Sequence, residues 1–190
     1  MLCLSRPARE TIEAFISSQK NLVFSYPQIG ATREQAPKGY TVDHNRIRLG
    51  IGAEAFARAK TAIQNWKMFD VPGLSLCWPD TPIAVGATVA LLASHFGLWS
   101  LNACRIVYVL EQHGAIERYG FAYGTLPEHG VIGEERFTVE YHTQDQSVWY
   151  DLYAFSRPTL LATLAYPFAR TLQRRFARDS KAAMVRAVQA

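Results

Sequence analysis

Apolar and polar positions alternate with two different periods along the chain, and the change of period divides it. Ser5-Arg6-Pro7 marks a helix start, with serine at the cap and proline in the first turn. Ile12, Phe15 and Ile16 then recur at helical spacing to about Lys20. Tyr26 to Gly39 contains Pro27, Gly30, Pro37 and Gly39 and reads as a loop. Tyr40–Leu49 reads as a strand and Gly50-Ile51-Gly52 as a tight turn. Phe56, Ala59, Ile63 and Trp66 form the apolar face of a helix from Ala53 to about Met68. Beyond it the period is two. Candidate strands are Leu74–Trp78, Thr88–Ser94, Leu98–Leu110, Tyr119–Leu126, Glu134–Tyr141 and Val148–Ser156, punctuated by Asp80-Thr81-Pro82, His113-Gly114, Pro127-Glu128-His129-Gly130 and Thr143-Gln144-Asp145-Gln146. Ser156-Arg157-Pro158 opens a long C-terminal helix by the same cap-and-proline logic, and Pro167 kinks or restarts it.

Short connections between consecutive strands predict an antiparallel meander. The order of elements predicts an α+β fold: one sheet with helices on one face, in a single domain over 1–190. Residues 1–39 would be an N-terminal helix and loop extension of a core from 40 to 190. A bent antiparallel sheet gripping a long C-terminal α-helix is the helix-grip arrangement, which resembles the START and Bet v 1-like superfamily.

Charge changes this picture little. The formal net charge is +4, but six basic side chains between Arg170 and Ala190 stand against Asp179 alone, so the excess reports one helix. Nucleic acid is therefore not expected as a partner. From Thr81 to Cys104 no charged residue occurs. That run is long enough to span a bilayer, but its Gly, Ser, Thr, His and Asn residues favour two buried strands. Three cysteines, none in a CxxC pair, fit reduced thiols and a cytoplasmic location rather than a disulfide framework.

Several strings carry a resemblance: GIGAEAFARAKTAIQNWKMF from Gly50, CRIVYV from Cys104, GFAYGTLPEH from Gly120, GEERF from Gly133, VWY from Val148, AFSRP from Ala154 and QRRF from Gln173. Together they resemble an uncharacterised family of small bacterial and plant proteins, domain of unknown function 1990, from about Tyr40 onward. The resemblance implies a START-like fold and no established reaction, ligand or catalytic residue.

The chemistry must therefore be read from single residues. Gly50-Ile51-Gly52 lacks the third glycine and the Lys-Ser/Thr of a phosphate loop. Among five histidines no HExxH or HxH spacing occurs, so neither a metal nor a cofactor is expected. Asp43 and His44 point to opposite faces of their strand and cannot pair directly. In GEERFTVEY, alternation puts Glu135 with Phe137, Val139 and Tyr141 on the apolar face, and Glu134, Arg136, Thr138 and Glu140 on the other. The C-terminal stripe Leu161, Leu164, Phe168, Leu172 and Phe176 places Arg175 near its centre. Two opposite charges on apolar faces that pack together predict a buried Glu135–Arg175 pair, with Arg105 and Asp151 as alternative partners. Tyr123 shares a face with Phe121 and Thr125, opposite Gly120, Ala122 and Gly124. Small residues there admit a close helix or a ligand.

Three functions are open at this point. The aromatic supply and the expected fold suggest a binding module for a small apolar or lipid-like molecule held between sheet and helix. Glu135 and Arg175 would serve an enzyme of cyclase or hydrolase type. The basic C-terminal helix could serve an interaction protein at a membrane surface or nucleic acid.

Overall fold

The computed structural model describes residues 1–95, 97–159 and 166–189. Among these residues eight strands and three helices follow one another as β1 (Leu2–Cys3), α1 (Arg9–Gln19), β2 (Thr41–Ile51), α2 (Ala53–Gln64), β3 (Leu74–Cys77), β4 (Thr88–His95), β5 (Leu98–Gln112), β6 (Ile116–Thr125), β7 (Val131–His142), β8 (Ser147–Pro158) and α3 (Tyr166–Gln189). The strands are joined in one antiparallel sheet of order β2-β8-β7-β6-β5-β4-β3. Strand β1 pairs with β5 at Leu2↔Ser100 and Cys3↔Trp99, beyond the point where β6 ends opposite Cys104. The charge-free run forms β4 and β5, and no helix among the described residues is long and apolar enough to cross a membrane.

Short hairpins join β4 to β8, and the return of β2 alongside β8 brings residues about a hundred positions apart into register, Asp43↔Ala154 and Ile47↔Tyr150. Gly52, with φ 89°, turns the chain from β2 into α2 in a conformation that favours glycine. Its amide donates to Gln146 O at 2.8 Å. One face of the sheet packs on α2 and α3. Its core joins Phe56, Ala59 and Ile63 of α2 to Val89, Ile106, Phe121, Phe137, Val139, Tyr150 and Leu152 of the strands and to Met184 and Val188 of α3. A second cluster joins Ile12 and Phe15 of α1 to Ala90, Leu92, Leu101 and Ala103.

One expectation about the C-terminal part is corrected. Helix α3 does not begin at Ser156: β8 continues to Pro158, paired with Val131 of β7, and Ser156 pairs with Thr41 and Gly133. The cap-and-proline signal is local, and it loses to strand pairing on both sides. The stripe at Leu161, Leu164 and Phe168 lies outside the described side chains. The buried side of α3 further on is Ala177, Ser180, Ala183, Met184 and Val188.

The opposite face of the sheet is also covered. Phe24 and Tyr26 of the loop before β2 lie on Gly124 of β6. A Cβ at Gly124 would stand 2.2 Å from the Tyr26 hydroxyl and 2.9 Å from the Phe24 ring. What approaches Gly124 is thus an aromatic loop. Gly124→Ala should force Tyr26 off its seat and cost about 1–3 kcal/mol, read as a lowered denaturant midpoint. An unchanged midpoint would mean that the loop contributes nothing to stability.

Candidate functional site

Tyr123 of β6 and Glu135 of β7 are register partners, and alternation turns both toward α2 and α3. Tyr123 Oη donates to Glu135 Oε2 at 2.8 Å, and Oε1 takes no hydrogen bond among the described residues. Phe69, in the turn after α2, stacks on Tyr123 and on Phe176 of α3, and meets Phe137 edge-on. Cys104 and Tyr150 belong to the same apolar cluster.

Burial pushes the Glu135 carboxyl up to about 7. The Tyr123 hydrogen bond works against the rise and nearby Asp43 adds to it. Burial, reinforced by Glu135, also lifts the Tyr123 hydroxyl and the Cys104 thiol well above their ordinary values. Tyr123 therefore stays a donor, and Cys104 behaves as a small neutral side chain. Glu135 nevertheless keeps part of its surface accessible. It is a carboxyl set in an aromatic wall, with one oxygen that no described residue engages.

A polar rail runs beside it from β2 to α3. Asp43, on the same face as Glu135 with Ala154 between them, takes Arg170 of α3 through two bonds of 2.5 and 2.7 Å. Arg170 also donates to Gln173 Oε1 at 2.7 Å, and Gln173 Nε2 donates to Ser156 Oγ at 3.1 Å. Further along, Tyr150 and Ser180 share a hydrogen bond of 2.9 Å.

The inward arginine of α3 is thus Arg170. Arg175 is 57% exposed in its side chain and pairs with Asp179 at 3.5 Å, one turn on. The expected Glu135–Arg175 pair is not formed. The physical reason is the true stripe of the helix. Arg170 stands two turns before Ala177, on the buried side, whereas Arg175 stands two residues before it, about 200° around. Large apolar residues suggested a different centre from the one marked by Ala177, Ser180 and Ala183.

Arg105 and Asp151 are not partners of Glu135 either, because both lie on the outer face. Arg105 donates to the carbonyls of Gln19, Lys20 and Leu22 at 2.8, 2.5 and 2.9 Å. It therefore satisfies the end of α1, where a cation is favoured. Asp151 joins His44 at 2.6 Å and accepts from Arg136 at 3.0 Å. His44 and Asp43 do diverge, as alternation requires, and each finds a partner on its own face, Asp151 for His44 and Arg170 for Asp43. Glu140 sits among Arg46, Arg118 and His142 at 2.6, 2.8 and 3.3 Å. Burial would raise its carboxyl, but these partners outweigh burial and hold it below the ordinary value. On α3, Lys181 donates to Asn45 at 3.2 Å and Arg186 to Asp70 O at 3.1 Å, so part of the basic excess is committed within the fold.

The residue that sequence reasoning missed is Glu134. It is 2% exposed and accepts from Tyr26 Oη at 2.6 Å, Gly30 N at 2.7 Å and Thr32 N at 2.9 Å, with a fourth bond from Thr32 Oγ1. The hydroxyls of Thr32 and Tyr108 are 2.8 Å apart. Phe24 and Tyr26, two aromatics in a Pro/Gly loop, were the available signal, since such rings need a surface to cover.

One antiparallel sheet with a long C-terminal helix packed on its inner face is the helix-grip fold of the Bet v 1/START kind. Among solved structures, Ara h 8.0201 aligns over 80% of this chain and 99% of its own at 11% identity and a TM-score of 0.50, a likeness of fold alone. The chain belongs to the family described as Domain of unknown function (DUF1990), which it matches over residues 25–183. That match takes in the loop held by Glu134. A UPF0548 protein of Dictyostelium discoideum is 34% identical over 99% of this chain and 96% of its own length. A UPF0548 protein of Deinococcus radiodurans is 36% identical over 98% of each.

Proposed function

We propose that the protein binds a small, mainly apolar molecule between the inner face of the sheet and α3, with the Tyr123–Glu135 pair as its polar contact. The observation that carries this reading is Glu135 itself. A carboxyl raised to about 7 by burial, bonded among the described residues only through Oε2 and still partly accessible, is a costly feature for a closed core. It is an ordinary one for a pocket, where a few placed polar groups orient an apolar guest. Phe69, Phe137 and Phe176 supply the apolar contact. Reduced exposure without full pairing distinguishes Glu135 from Glu134, whose bonds are complete.

The test is native mass spectrometry before and after organic extraction, followed by titration of the extracted protein with the neutral fluorophore N-phenylnaphthylamine. A co-purifying small molecule, or saturable micromolar binding of the fluorophore that Glu135→Gln alters, is expected. The absence of both a bound mass and saturable binding would overturn the reading. The cyclase or hydrolase mechanism built on Glu135 with Arg175 is not carried forward, because Arg175 stands on the solvent side of α3, away from Glu135.

A further inference from the structure

We infer that the occupant of this site is a cation: an apolar amine whose protonated nitrogen rests on Glu135 Oε1 against the surrounding aromatic rings. This rests on the binding role proposed above and adds the charge of the ligand.

The inference follows from what faces Glu135 on each side. From β6 comes the Tyr123 hydroxyl, whose single hydrogen is already given to Oε2. From β5 comes the neutral Cys104 thiol, and from β8 the Tyr150 hydroxyl, which shares its bond with Ser180. From β2 comes Asp43, a second carboxylate, which raises Glu135 further. The turn after α2 presents Phe69, an apolar ring. The cation of the facing helix, Arg170, is engaged in two bonds by Asp43, and Arg175 points to solvent. The described wall therefore supplies a carboxylate without a matching cation, and the balancing charge is left to the guest.

An anionic guest, such as a fatty acid, would set two carboxylates side by side in a poorly screened interior. A neutral guest would leave Glu135 to protonate. An ammonium satisfies Oε1 by a charge-assisted hydrogen bond.

The pH dependence gives a second, independent handle. The amine binds the charged form of Glu135, so its affinity should rise as pH passes upward through the neutral range.

The experiment compares three guests of nearly one shape, naphthylmethylamine, naphthylmethanol and naphthoic acid, by calorimetric titration at pH 5 and pH 8. The amine should bind about tenfold or more tightly than the alcohol at pH 8, and the acid least. Amine affinity should fall about tenfold or more between pH 8 and pH 5, because at pH 5 a carboxyl of this kind is mostly protonated. Glu135→Gln should abolish both the amine preference and its pH dependence. If that variant folds poorly, the pH series on the unaltered protein still decides. An acid that binds as well as the amine, or amine binding that does not change with pH, would overturn the cation assignment while leaving the binding role intact. If none of the three binds at about millimolar concentration, the binding role fails and the cation assignment with it.

Discussion

Glu134→Gln should destabilise the protein nearly as much as Glu134→Ala, although glutamine has the same shape. All four groups that meet this carboxylate are donors: the Tyr26 hydroxyl and Gly30 amide at Oε2, the Thr32 amide and hydroxyl at Oε1. A carboxylate is acceptor-only, whereas an amide carries a donor at one of its two positions. Whichever way the substituted side chain turned, its NH₂ would confront a backbone amide that can only donate, that of Gly30 or Thr32, and would force the hydroxyl beside it to turn round and accept. Buried donors left without partners cost about 1–3 kcal/mol each, so a loss of roughly 3–5 kcal/mol is expected for either variant, at the upper end for single substitutions. For a domain of this size that corresponds to a fall in Tm of about 10 °C. The loop should open locally as well. Hydrogen exchange at the Gly30 and Thr32 amides should become fast while the amides of β7 and β8 stay protected. A neutral Glu134→Gln variant, or unchanged exchange at those two amides, would refute the account of the loop.

The contacts of Glu134 also show why part of the architecture is legible in the sequence and part is not. A period of two is a local property, so the alternation in β7 that separates Glu134 from Glu135 can be read directly, and so can the meander from β4 to β8. The antiparallel sheet with a C-terminal helix follows from the same pattern. The partners of Glu134 lie more than a hundred positions away, at Tyr26, Gly30 and Thr32, and no periodicity links a carboxylate to a distant loop. The start of α3 failed for a related reason. Ser156-Arg157-Pro158 satisfies the local rule for a helix cap, yet β2 and β7 claim those residues as strand. Arg175 failed through the weight given to large side chains. Over much of its length α3 buries Ala177, Ser180 and Ala183, small residues that let the helix come close to the sheet and carry little hydrophobic signal. The Tyr123–Glu135 pair sits in between: each residue's face was legible, but their meeting depends on the β6–β7 register, which the loop between Thr125 and Val131 does not disclose.

Glu135→Gln should act in the opposite sense to its neighbour and should stabilise the protein at alkaline pH. The folded carboxyl lies at about 7 against an ordinary 4.5. Below pH 4.5 it is protonated in both states and costs nothing. Between 4.5 and 7 the unfolded chain releases this proton and the folded chain keeps it, so the unfolded state binds fewer protons and stability falls as pH rises. Above 7 the folded carboxyl ionises too, and the loss is complete at about 3 kcal/mol at most. A glutamine accepts the Tyr123 hydroxyl through its carbonyl oxygen, carries no charge and has no such slope. The difference in unfolding free energy between variant and unaltered protein should therefore be near zero below about pH 4.5, grow through the neutral range and level off above about pH 8 in favour of the variant. Taking the difference removes the titration of every other group, including Glu140, whose carboxyl is held low and whose contribution is lost on acidification instead. Denaturant unfolding at a series of pH values measures it. A difference that is flat with pH would mean that Glu135 ionises freely in the folded protein, and the strain on this carboxyl that motivates a cationic guest would be absent.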